Sequence, residues 1–335
     1  MKSRWPIIIA CMVLLGSALA ALKIGSLPIS WHQLFTTLFL KETPANSNLM
    51  ASVIWQIRLP RIILAMGVGA ALAISGLAFQ AVLGNYLADP YLLGVSSGAS
   101  LGAIIIMTVV PISLAWLTPA AFLTGMVTVI IVLALARSRD GGLPSERMVL
   151  AGVAVGSFLT AIVSMLLIMS KDRMAEALFW LMGGFSGRGW AEVATFLPYL
   201  IIGSVVLFLL PNELNLMSLG EETAYNVGVA TKKVGITVLL VGSLLAGAAV
   251  SISGVIGFVG LIVPHFTRMA VGADHRRLLP LTAIGGAFLL LAADTLARSI
   301  PGIGELPVGA VTAFLGGPFF IYLLRRSSYG GARIG

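Results

Sequence analysis

Long apolar blocks recur along almost the whole chain, and they restrict the fold more than any single motif does. Crossing a hydrocarbon core takes about 20 mostly apolar residues in helical form. Ten blocks of that kind lie at 6–24, 62–83, 93–111, 114–136, 148–169, 192–210, 234–252, 255–271, 278–297 and 306–324. They use most of the 335 residues. The pattern predicts an all-α polytopic membrane protein with ten transmembrane helices, and one membrane domain over 1–335 with no room for a soluble one. Charged residues make up 10% of the chain, against about 25% in soluble domains, so a soluble protein is excluded. Many of the 38 glycines fall inside the blocks, where small residues let helix backbones approach closely.

The net charge of +8 does not point to nucleic acid, because the basic residues are scattered between the blocks. With a cytoplasmic amino terminus and alternating spans, the larger share of Lys and Arg falls inside. Lys2, Arg4, Arg137, Arg139, Lys232, Lys233, Arg276 and Arg277 are among them, as the positive-inside rule asks. Ten spans then place both termini in the cytoplasm. Ala18-Leu19-Ala20 resembles a signal-peptide cleavage site, but the run from Pro6 to Leu22 is long enough to span and reads as a retained helix. The stretch from Gly69 to Gly76 matches that from Gly247 to Gly254 at six of eight positions. Each copy opens a four-helix group, so helices 2–5 and 7–10 read as an inverted repeat, a device common in transporters.

Several chemistries are missing from the sequence. No G-x-x-x-x-G-K-[ST] phosphate cradle is present. His32, His265 and His275 are far apart, and no His/Cys/Asp/Glu group has metal-ligand spacing. No catalytic set emerges, and the single Cys11 makes no internal disulfide. Asp294 is the best intramembrane carboxylate. It motivates an alternative reading as an ion-coupled secondary transporter, which needs ionisable groups at membrane depth. Their scarcity points to an energy source elsewhere. In the longest inner connection, 211–233, Ser218 and Glu221 fit a capping box. A short helix through Glu222, Ala224 and Tyr225 then ends at Gly228, and it reads equally as a docking element for a partner or as an ordinary loop helix covering the end of the bundle.

A series of motifs in order carries a resemblance over about Ile54 to Leu324. They are Arg58-Leu59-Pro60-Arg61, Ser75-Gly76 with Gln80, Leu87-Ala88-Asp89-Pro90 and the following Leu93-Gly94-Val95-Ser96-Ser97-Gly98-Ala99. Trp180-Leu181-Met182-Gly183-Gly184, Ser218-Leu219-Gly220-Glu221-Glu222 and the stretch from Gly257 to His265 come next. Leu279-Pro280, the stretch from Ala292 to Arg298, and Glu305-Leu306-Pro307-Val308-Gly309 complete the series. The chain resembles the FecCD-type permeases of bacterial importers for iron–siderophore, haem and cobalamin. The resemblance implies a transport subunit of the bacterial inner membrane, not an enzyme. It implies a second permease copy, two cytoplasmic ABC ATPases that hold ATP and Mg, and a periplasmic substrate-binding protein. It implies no cofactor or metal on this chain. Its substrates would be iron–siderophore or haem, with cobalamin close behind.

The resemblance also implies roles for residues. Asn85, Tyr86 and Leu87, with Ser145 and Glu146, match the cytoplasmic gates. The family usually reads Asn-Pro-Leu at the first gate; tyrosine restores a backbone N–H and adds bulk. Segment 214–229, with Ser218, Leu219, Gly220, Glu221, Glu222 and Ala224, looks like the element coupling to the ATPase. The pathway lies between two copies along the fifth and tenth helices, and here the fifth carries Ser157, Thr160, Ser164, Met165 and Met169. Arg58 and Arg61, just before the second helix, and Arg298, just after the ninth, face outward against the positive-inside trend. Snorkelling to headgroups is the plain explanation. The resemblance implies instead that they dock acidic knobs of the binding protein, a directional pairing suited to Arg.

Overall fold

In the computed structural model, residues 5–25, 29–39, 49–110, 113–138, 142–300 and 304–329 are described. Lys2, Arg4 and Arg139 of the charge argument lie outside them. Helix α1 (Trp5–Lys23) is followed by α2 (Trp31–Phe39). Helix α3 (Leu49–Ser52) passes through a π-helical turn (Val53–Arg58) into α4 (Leu59–Leu83). Arg58 and Arg61 therefore lie within a continuous helix rather than ahead of it. Pro60 accounts for the π-turn. It lacks an N–H and its ring crowds the carbonyl four residues back, and the wider turn, in which the Leu59 N–H reaches Ile54 O, makes room.

Helices α5 (Val95–Thr108), α6 (Leu117–Ala136), α7 (Ser145–Met169), α8 (Met174–Leu181) and α9 (Trp190–Phe208) come next. Two short helices, α10 (Pro211–Met217) and α11 (Glu221–Asn226), precede α12 (Thr231–Ser253), α13 (Val259–Val271), α14 (His275–Ala297) and α15 (Val308–Tyr329). Among the described residues, seven helices are long and apolar enough to cross a membrane, and α5, α13 and α15 are shorter apolar helices. Together these ten apolar helices account for the ten apolar blocks. The described residues contain no strand.

Helix α4 is buried on all sides and packs against α14, α12 and α13, as expected of a helix apolar all round. Glycines set how closely its neighbours come. A Cβ on Gly69 would lie 2.1 Å from the Gly286 oxygen of α14, and one on Gly76 would lie 2.2 Å from the Gly260 oxygen of α13. Val82 lies against Gly235 and Ser75 against Gly242, so α12 runs antiparallel to α4. The matched octets nevertheless differ in conformation: α4 continues through Gly76, whereas α12 stops at Ser253.

The 255–271 block is not helical from its start. Gly254 (φ +70°) and Phe258 (φ 70°) turn the chain before α13 begins. The Gly184 N–H donates to Ser253 O at 2.7 Å, and the Tyr91 hydroxyl donates to Ile256 O at 2.9 Å. Irregular backbone at this depth is tolerated because protein groups satisfy it.

Candidate functional site

At one end of the bundle, the start of α4, the end of α14 and the end of α1 bring three arginines together. Arg58, Arg61 and Arg298 are 5%, 7% and 8% exposed, so none extends to a lipid surface. Arg61 donates through Nε and Nη2 to Asp294 Oδ1, at 3.0 and 2.9 Å. Its Nη1 donates to both oxygens of Glu305, at 2.9 and 3.0 Å. Arg298 lies one helical turn beyond Asp294, with Nε 3.5 Å from Asp294 Oδ2. Its Nη1 donates to Ile24 O at 2.7 Å and its Nη2 to Ala21 O. Arg58 donates to Leu22 O and Lys23 O, at 2.6 and 3.0 Å. The last carbonyls of a helix lack partners within it; here two guanidiniums supply them for α1. Gly25 lets the chain pass against both, since a Cβ there would lie 2.9 Å from Arg58 Nη2.

Fully buried Asp294 is thus the counter-ion of two arginines. Its (i, i+4) spacing to Arg298 was readable in the sequence. Glu305 was visible only as part of a motif, because nothing local connects it to Arg61, 244 positions away.

The opposite end carries the residues matched to the gates. The side chain of Asn85 accepts from the Leu87 N–H at 2.9 Å, which shapes a tight loop with Tyr86 and Leu87 exposed. The Tyr86 ring lies over the Arg268 guanidinium at 4.3 Å. Arg268 donates to Gln80 Oε1 at 2.9 Å, and Gln80 Nε2 donates to Gly260 O at 3.3 Å. The 85–87 loop is therefore connected to α13 and α4 together. Ser145 opens α7, and its hydroxyl reaches Leu83 O at 3.4 Å. Glu146 follows it, exposed in the first turn.

The coupling segment forms two helices. The expected capping box does not form: Ser218 ends α10 and donates to Leu214 O, and Gly220 (φ +110°) precedes α11 instead. That backbone conformation suits glycine, and it turns the Ser218 hydroxyl back into its own helix. Gly228 (φ +93°) ends the segment as predicted. Ala224 is buried, while Leu219, Glu221, Glu222 and Tyr225 are exposed. Glu221 and Ser145 line one small cavity with Val82, Met217 and Lys232, so the start of α7 adjoins α11.

Polar contacts fasten α10 to α14. The Asn215 amide donates to Asp274 Oδ1 at 2.9 Å, and its oxygen accepts from the His275 N–H at 2.8 Å. Arg276 Nε donates to Asn212 Oδ1 at 2.9 Å. The Asn215 amide, then the Arg276 N–H, hold the Asp274 carboxyl below the usual carboxylate range.

Ser157, Thr160, Ser164, Met165 and Met169 all lie on the exposed face of α7. Ser157 and Thr160 line a groove of about 560 Å³ with Ser97, Asp89 and Tyr91. The Thr160 hydroxyl donates to Gly156 O and that of Ser164 to Thr160 O, at 2.8 and 2.9 Å. Back-bonding of this kind uses the hydroxyl protons within the helix and leaves a weakly polar wall. Among the described residues no group of His, Cys, Asp and Glu is placed to hold a metal ion.

Ten apolar helices with two polar, interconnected ends define a polytopic membrane permease. The chain belongs to the FecCD transport family, whose sequence profile matches residues 11–326. It is 44% identical over 273 residues to the cobalamin import system permease BtuC of Halobacterium salinarum, across 82% of this chain and 73% of that one. It is 40% identical over 329 residues to the hemin transport system permease HmuU of Yersinia pestis, across 96% and 94%. A solved structure described as an inward-facing ABC transporter of metal-chelate type is similar at a TM-score of 0.84 and 34% identity. That match covers 97% of this chain and all of the other.

Proposed function

We propose that this chain is the membrane permease of an ATP-driven importer for a large metal chelate. It works with a second copy of itself, two cytoplasmic ATPases that bind ATP and Mg, and a periplasmic binding protein. The observation that carries the reading is the α10–α11 element. It presents Leu219, Glu221, Glu222 and Tyr225 outward on a buried Ala224 base, directly beside the gate residue Ser145. That is where an ATPase would transmit movement to the gate. In this orientation the α10–α11 end and both termini are cytoplasmic, and the arginine end faces the periplasm, where it docks the binding protein. The weakly polar α7 wall suits a bulky solute that must slide without binding tightly. Relatives named for cobalamin, hemin and siderophore transport support iron–siderophore or haem as substrate, with cobalamin close behind. An ion-coupled mechanism loses its best residue, because Asp294 is engaged by Arg61 and Arg298.

Reconstitution in liposomes tests the reading. The chain alone should hydrolyse no ATP. With its ATPase and binding protein, chelate uptake should need ATP and persist when ionophores collapse the ion gradients. Uptake lost to an ionophore while ATP is plentiful would overturn the proposal.

A further inference from the structure

Arg61 meets two carboxylates of very different standing. Asp294 is 0% exposed on the body of α14. Taking it away from Arg61 would strand a buried charge, which is costly. The Glu305 side chain is 37% exposed and sits on the short connection before α15. Its backbone is held in place, since the Leu306 N–H donates to Ala297 O at 3.0 Å. The side chain alone reaches across to Arg61 Nη1. Glu305 is the more solvated of the two carboxylates, so it is the one that can be replaced, while Arg61, buried at 8% side-chain exposure, keeps its need for a carboxylate on that edge. Within the cluster itself, three guanidiniums face two carboxylates, one positive charge in excess. Release of Glu305 raises that charge and frees one edge of Arg61, while Asp294 keeps the other edge in place.

We infer that Glu305 is the resident occupant of the position on Arg61 that an acidic side chain of the secreted binding protein takes on docking, so that docking is an exchange of one carboxylate for another. The inference rests on the docking reading above and adds to it a residue that weakens the complex. Exchange keeps Arg61 paired throughout, so neither the free nor the docked state contains an uncompensated guanidinium. It also makes Glu305 a determinant of how readily the binding protein leaves.

The test uses the permease–ATPase complex in nanodiscs and its periplasmic solute-binding protein. Glu305→Gln keeps an acceptor for Arg61 and removes the competing charge. Its Kd for the binding protein should fall about two- to fivefold, because the incoming carboxylate no longer competes with a charged resident. The gain should be larger at low salt, where charge accelerates association. Glu305→Ala, which also removes the acceptor, should tighten binding too. Arg58→Glu, measured in parallel, reports on the docking reading itself. If Arg58→Glu weakens binding but both Glu305 variants leave Kd unchanged or raised in monodisperse protein, the exchange is wrong and docking stands. If Arg58→Glu and the Glu305 variants are all without effect, the docking reading fails and the exchange fails with it.

Discussion

Tyr86 shows how one side chain can tie a loop to a neighbouring helix. Its ring covers Arg268, which also donates to Gln80, so the loop and α13 share one cation. A proline at this position would have no π-face to offer. A cation–π contact at a partly exposed site contributes about 0.5–1 kcal/mol. A double-mutant cycle of Tyr86→Leu with Arg268→Gln, read from unfolding free energies in detergent, should give a coupling of about that size. Tyr86→Phe should retain it. A coupling of zero would make the ring an accidental neighbour.

Among the elements, α10, α11 and α14 act as one assembly. Asn212 and Asn215 attach α10 to the start of α14, and α14 ends at Asp294 and Arg298. One helix, with Pro280 in its first half, therefore joins the proposed ATPase contact to the arginine end, an arrangement suited to passing a displacement between partners. Helix α11 supplies the contact itself, with two acidic residues in its first turn. Replacing Glu221 and Glu222 together with lysine should cut the amount of co-purified ATPase at least about tenfold, the order expected for charge reversal in an interface. Wild-type co-purification together with wild-type uptake would reduce α11 to a plain loop helix.

On the scale of the molecule, the centre is dense and the outer helices expose apolar side chains. Helix α4 is buried throughout, while α7 shows Leu150, Val153, Phe158, Met165 and Met169 to the surroundings, and Phe314 of α15 is 80% exposed. A second copy placed there would enclose the Ser157–Thr160 groove between two subunits. Cys11 is the single cysteine, so a Cys11→Ser background allows a direct check. Thr160→Cys should be captured as a dimer by a bifunctional maleimide in membranes, whereas Leu123→Cys on α6 should not. Equal capture at both positions would mean random collision rather than a subunit interface.

The sequence by itself determined the class of protein and most of its elements. Bilayer thickness turns apolar block length into a count of helices, and that arithmetic needs no tertiary information. The residues matched to gates, coupling element and pathway were legible as ordered motifs, though not as neighbours. Tertiary structure decided what no local pattern encodes. The 255–271 block begins with four non-helical residues; the Tyr91 hydroxyl donates to Ile256 O there, and the Gly184 N–H to Ser253 O just before. Ser218 and Glu221 have capping-box spacing, yet Gly220 takes the turn. The arginines at 58, 61 and 298 share one end of the bundle with their side chains buried, because α1 brings unpartnered carbonyls, α14 brings Asp294, and the connection before α15 brings Glu305. Burial of a charge depends on which distant groups arrive to compensate it, and only the packed chain decides that.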